Sequence, residues 1–123
     1  MRAEIIDRLR MVQPLQAITT FNRPNLTYEV RAKVSLAADL PASLFADGSS
    51  AIVYVLRQAE CDTVAEHLKR LGVTAVPYHA GLTDTARHTA HVEFVHDRVQ
   101  VAVATLAFGM GIDKPDIRRV IHV

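Results

Sequence analysis

Three short segments of this chain are built almost wholly from apolar residues, AIVYVL at 51–56, VTAVPY at 73–78 and VQVAVA at 99–104, and a fourth, RRVIHV at 118–123, is half apolar. They are rich in β-branched side chains, which suit a pleated, buried backbone. Strands with so little polar alternation belong to a sheet covered on both faces. Helical periodicity fills the gaps at 59–71 and 84–96. Strand, helix, strand, helix, strand, loop, strand predicts an α/β fold: an open parallel sheet with crossover helices on both faces.

The helical segments carry their own signals. Over 59–71, Cys61, Val64, Ala65, Leu68 and Leu71 share one face, Glu66 sits four before Arg70, and Gly72 is placed to stop the helix. Over 84–96, Ala86, Ala90 and Phe94 stack four apart behind Thr83, a good N-cap. Upstream, residues 1–10 read as a short amphipathic helix and 15–20 as a short strand. Phe21 to Leu26 is punctuated by Pro24. Leu26, Tyr28, Val30 and Ala32 then alternate with polar residues, the period of a half-buried strand over 26–33. Residues 36–46 are expected to be helical.

Composition excludes several classes. With 123 residues, half of them hydrophobic, the chain can bury roughly two-thirds of its surface. No apolar run approaches the ~20 residues of a membrane span. One cysteine, Cys61, leaves no internal disulfide and no multi-cysteine zinc cluster. These features fit an intracellular protein. A formal net charge of +1 does not announce nucleic-acid binding, so any such contact must be local.

Loops at the carboxyl ends of strands are where open α/β sheets place ligands. ATLAFGMGID at 104–113 is such a loop; Gly109 and Gly111 allow close backbone approach to a phosphate or serve equally as plain turn residues. The dinucleotide fingerprint fails because Lys114 stands at its third glycine. The phosphate loop and an Asp-Glu pair for magnesium are absent from the sequence, so the chain lacks the parts that bind triphosphate and metal unaided. Thr105 either bonds its own loop or faces a phosphate. Asp113 either accepts from a ribose or caps nearby groups. His79, in YHAGL at 78–82, lies at another strand end on the same edge, as a ligand contact or a satisfied loop residue. Asp84, His88 and His91 share a helix face that reads as solvated rather than metal-binding, and Cys61 reads as core.

ATLAFGMGIDKPDIR resembles motif V of the RecQ DNA helicases. YHAGL followed by Arg87 is similar to the motif upstream of it, and IVYVLRQAECDTVAEHL to motif IV in a form close to the Bloom-syndrome-type subgroup. FNRPNLTYEV at 21–30 looks like the entry into that family's second RecA-like domain. The resemblance covers residues 15–123, in the right order and spacing.

It implies an ATP-dependent helicase moving 3′ to 5′ on DNA in repair and recombination, nuclear in a eukaryote and cytoplasmic otherwise. Residues 1–20 would end the first motor domain or its linker. Residues 21–123 would form the helicase C-terminal domain, a RecA-like sheet without a phosphate loop, incomplete at its C-terminus before motif VI. ATP and Mg2+ would be held mainly by the first RecA-like domain. Partners would be that domain and DNA, as single strand and duplex junction, with no membrane. Gly109, Gly111 and Asp113 would line the nucleotide cleft; Thr105, His79, Gly81 and Arg57 would meet DNA. No complete catalytic set and no metal ligands fall in the chain, so the isolated piece is expected to be inactive. Val55 replaces the family's usual cysteine, Arg57-Gln58 its Ser-Arg pair, and Arg119 an aromatic residue. These departures leave room for a non-catalytic helicase-like module that binds DNA or protein. A superfamily 2 RNA helicase domain is the other alternative.

Overall fold

The computed structural model describes residues 1–105 and 114–123. It divides into two compact units, Met1–Arg31 and Ala32–Val123. In the first, helix α1 spans Arg2–Arg8, with Glu4 in its first turn and an ion pair to Arg8 at 2.9 Å. The strand expected at 15–20 does not form, and neither does the one expected at 26–33. Tyr28 and Val30 are 88% and 98% exposed. Period-2 alternation says which face a strand would bury; it does not supply the neighbouring edge that satisfies the backbone ladder.

The second unit starts with helix α2 (Leu36–Asp39), capped by the Ser35 hydroxyl on Ala38 N–H, and continues as a 3-10 turn at Ala42–Phe45. The single helix expected over 36–46 is broken at Pro41. Proline forces its predecessor out of the helical region, and Leu40 sits at φ −123°, ψ 62°.

Four parallel strands follow: β1 (Ala51–Tyr54), β2 (Ala75–Tyr78), β3 (Val101–Ala104) and β4 (Arg119–His122). They lie in the order β2-β3-β1-β4. Helix α3 (Gln58–Arg70) links β1 to β2, and α4 (Asp84–Val95) links β2 to β3. Odd positions of the central strands, Ala51, Val53, Val101 and Val103, pack with Cys61, Val64, Ala65 and Leu68 of α3. Even positions, Ile52, Ala102 and Ala104, pack with Phe94 of α4. Because strand side chains alternate, the two helices cover opposite faces, as the apolar strands predict.

Both helices end on the same device. At α3, Gly72 adopts φ 80°; its N–H reaches Lys69 O and Val73 N–H reaches Leu68 O, both at 3.0 Å. At α4 the left-handed residue is Asp97, φ 59°, with Asp97 N–H on Phe94 O and Arg98 N–H on Glu93 O. This is the paired-bond stop that glycine usually makes and Asp tolerates.

The amino ends of the strands are tied by side chains. Lys114 Nζ bonds Asp97 at 2.6 Å and Asp116 at 2.9 Å and lies 5.6 Å from the Phe94 ring centroid. Ser50 Oγ donates to the same Asp97 oxygen at 3.2 Å. Arg119 grips both Asp47 oxygens, at 2.9 and 2.6 Å, and Ser49 Oγ. The opposite edge carries the loops that follow β1, β2 and β3.

Candidate nucleic-acid interface at the carboxyl edge

Tyr54, Ala104 and Tyr78 are in lateral register on β1, β3 and β2. The residues that follow them therefore leave the sheet side by side, within a span of about 10 Å across three strands. Thr105 follows β3, His79 follows β2, and Arg57 closes the short link from β1 to α3. The structure thus gathers Thr105, His79, Gly81 and Arg57 on one edge. Gly109, Gly111 and Asp113, read as the nucleotide-cleft set, lie outside the described residues.

The first turn of α3 organises this edge. Its N-cap is Arg57, and the Glu60 carboxylate accepts the Arg57 N–H at 3.0 Å, which holds the turn while leaving the exposed guanidinium outside. Arginine has no acceptor to offer the helix amides, so Glu60 does the capping. One residue on, Cys61 Sγ lies 3.9 Å from Arg57 O, and the backbone amide of Thr105 acts on the same thiol. Burial pushes this thiol up to about 11, the Asp62 charge adds to the rise, and the Thr105 amide only partly offsets it. Cys61 is therefore an inert strut against the start of the loop after β3. Thr105 itself is half-buried.

Gln58 and Asp62, one turn apart on α3, face the loop after β2. A Cβ added to Gly81 would stand 2.7 Å from Gln58 Oε1 and 3.1 Å from His79 Nδ1, so only glycine fits there undisturbed. His79 is 8% exposed. Its Nδ1 accepts the Gly81 N–H at 3.2 Å, and its carbonyl accepts the Leu82 N–H. In the neutral ring the proton then sits on Nε2, which is buried without a hydrogen-bond partner, 3.5 Å from Asp62 Oδ2. The loop runs directly into α4, where Thr83 Oγ1 caps Ala86 N–H at 3.2 Å. Arg87, part of the same sequence motif, pairs with Asp84 in that first turn.

The sequence reading named Gln58 only as a departure, Cys61 only as core and Asp62 not at all. The i, i+4 spacing of Gln58 and Asp62 beside an HAGL loop was the available signal. Among the described residues, no group of three or more His, Cys, Asp or Glu side chains gathers to hold a metal, and no helix is long and apolar enough to cross a membrane.

Chemically, the edge offers a guanidinium, a hydroxyl at a strand end and the amino ends of two helices, all suited to backbone phosphates rather than to base edges. A parallel sheet sandwiched by helices, in this strand order, is a RecA-like fold. Solved structures share it: the C-terminal domain of Dbp5 from S. cerevisiae bound to Gle1 and IP6 superposes with a TM-score of 0.58 at 22% identity, over 69% of this chain and 50% of that one. The Pyrococcus furiosus Hef helicase domain gives 0.57 at 19% identity, over 65% and 17%.

The model of the helicase conserved C-terminal domain matches residues 32–123; the chain belongs to that family, in its RecQ branch. It is 41% identical to ATP-dependent helicase wrn-1 of Caenorhabditis elegans over 98% of its own length and 12% of the relative's. The corresponding values are 43%, 98% and 9% for RecQ-like DNA helicase BLM of Xenopus laevis, and 45%, 84% and 18% for ATP-dependent DNA helicase Q1 of Rattus norvegicus. The chain thus spans less than a fifth of the length of these relatives.

Proposed function

We propose that this chain is the second motor domain of an ATP-dependent DNA helicase that moves 3′ to 5′ and unwinds duplexes in repair and recombination. Residues 21–123 form that domain, and residues 1–20 are the end of the first motor domain or its linker. The observation that carries the reading is the gathering of Arg57, the 79–81 loop and Thr105 on one sheet edge, braced by the first turn of α3.

Arg57 supplies charge to a phosphate, Thr105 a hydroxyl, and the loop before α4 presents the amino end of that helix. Such contacts hold a strand without reading its sequence. Gly109, Gly111 and Asp113 are assigned to the nucleotide cleft shared with the first domain. When bound to the complete protein, ATP with magnesium supplies the phosphoryl-transfer chemistry. This chain has neither a phosphate loop in its sequence nor a carboxylate cluster among its described residues, so it does not fit those groups by itself.

The test compares the 123 residues with the full-length protein in single-strand-stimulated ATPase and in unwinding of 3′-tailed DNA, 5′-tailed DNA and RNA duplexes. The short chain is expected to show neither activity and the full protein both, on 3′-tailed DNA. Arg57→Ala should lower the salt slope of DNA binding by about 0.7, one phosphate's worth on a single strand. A full-length protein that neither hydrolyses ATP nor unwinds sinks the reading in favour of a non-catalytic module; preference for RNA redirects it to the RNA helicases.

A further inference from the structure

We propose that His79 is a positioning residue that shapes the DNA-contact loop from inside and does not itself touch DNA; this rests on the helicase reading above. The ring is 8% exposed, so it has no face to offer a strand. Both ends of the turn are bonded to it. His79 O accepts Leu82 N–H, closing a four-residue turn, and His79 Nδ1 accepts the N–H of Gly81, two residues on. A side chain that accepts from the amide two residues ahead is the arrangement by which Asn and Asp build turns. Here an imidazole nitrogen takes the place of the amide oxygen.

The far end of the ring explains why the turn is held at a set place. Nε2 lies 3.5 Å from Asp62 Oδ2 on α3, with no hydrogen bond formed. The ring thus fills the space between the loop and α3, with Gln58 Oε1 closing over Gly81 from the same helix. Removing the ring frees the Gly81 amide and opens the gap to α3. The loop then has to be ordered each time DNA binds, which weakens binding without removing a charge.

Because Asn reproduces the Nδ1 acceptor, the two halves separate. In the full-length protein, His79→Ala should raise the half-saturating single-strand concentration for ATPase about tenfold, the size expected for one lost ordering hydrogen bond. The maximal rate should change less. His79→Asn should recover most of the loss. The salt slope of DNA binding should match wild type in both variants, because no phosphate partner is lost, and hydrogen exchange should show Gly81 exposed in His79→Ala but protected in His79→Asn.

A direct DNA contact by His79 would instead reduce the salt slope by about 0.7 and leave Asn as poor as Ala; either result overturns the proposal. So does a wild-type half-saturation in His79→Ala. A wild-type protein without DNA-stimulated ATPase overturns the helicase reading itself, and this role with it. An active wild type with a silent His79→Ala sinks the positioning role alone.

Discussion

Lys114 and Asp97 meet at 2.6 Å across 17 positions of sequence, joining the entry to β4 to the turn that ends α4. The lysine side chain is 3% exposed, whereas Asp97 is 64% exposed. Burial alone would lower the ammonium's pKa, but the bonds to Asp97 and Asp116 outweigh it, and the group sits above the ordinary lysine value. The Asp97 carboxyl is held below its ordinary range by the same bond, against an opposing effect of burial. The contact stitches two loops across the sheet's amino edge, away from the candidate interface.

Lys114→Met keeps the apolar stem over Phe94 and removes the charge. It should cost about 1–2 kcal/mol, the worth of the lost charged hydrogen bonds when the remaining carboxylates face water. Asp97→Asn should also destabilise, because it removes charge while still tolerating φ 59°. Chemical denaturation of both variants checks this, and additive losses would argue against a shared contact.

Stability should form a plateau across neutral pH. Asp47 is held low mainly by its hydrogen bond to Arg119 and Asp97 mainly by that to Lys114. A depressed carboxylate contributes fully above its unfolded pKa and loses that contribution as pH falls through the folded one, so stability should fall below about pH 4. Lys114 is raised; its contribution is full below its unfolded pKa and disappears as pH rises through the folded value, above about pH 10. Thermal melts across this range should drop at both ends, and the alkaline drop should shrink in Lys114→Met.

Asp47 is what accommodates Arg119 at the start of β4. The fork takes both carboxylate oxygens and Ser49 Oγ, a geometry lysine does not match. Arg119→Lys and Asp47→Asn should each lower the melting temperature by about 5 °C or less, as suits a half-exposed pair. The double variant should lose less than the sum, and added salt should narrow the difference.

Gly81→Ala should raise the half-saturating DNA concentration about three- to tenfold in the full-length protein. The new methyl would meet Gln58 Oε1 at 2.7 Å and His79 Nδ1 at 3.1 Å. The glutamine is exposed and can swing aside, but the histidine ring is buried. Adding Gln58→Ala should therefore restore little; full restoration would mean that the glutamine, not the ring, sets the limit.

Cys61 should resist thiol reagents at neutral pH. It is buried, its pKa is pushed up to about 11, and reactivity requires the thiolate. As the single cysteine of the 123 residues, its labelling rate should follow unfolding of α3 from the sheet. Rapid labelling under native conditions would contradict the packing of that helix.

Much of the fold was legible in order and in kind. The strands, the apolar face of α3 from Cys61 to Leu68 (though not Leu71, which is exposed at the helix end), Ala90 and Phe94 of α4, the stop at Gly72 and the cap at Thr83 stand where local chemistry puts them, because those signals act within a few residues. The misses lie where a local pattern needs a distant partner. The alternation from Leu26 to Ala32 describes a strand's two faces, yet a strand exists only beside an edge that pairs with it. Pro41 was a visible breaker inside the segment read as one helix.

The candidate site divides in the same way. Sequence alone determined the residue types at the strand ends, Thr105, the HAGL loop and the Arg57 link, and the family to which their order belongs. Only the tertiary structure decided that His79 faces inward, that Cys61 is sealed between α3 and the sheet, that Gln58 crowds Gly81, and that Lys114 and Arg119 are engaged with Asp97 and Asp47. Which charge meets which, and which polar atom is left without a partner in the interior, follows from strand order and register. Those are set by the packing of the whole sheet, beyond the reach of any short stretch of chain.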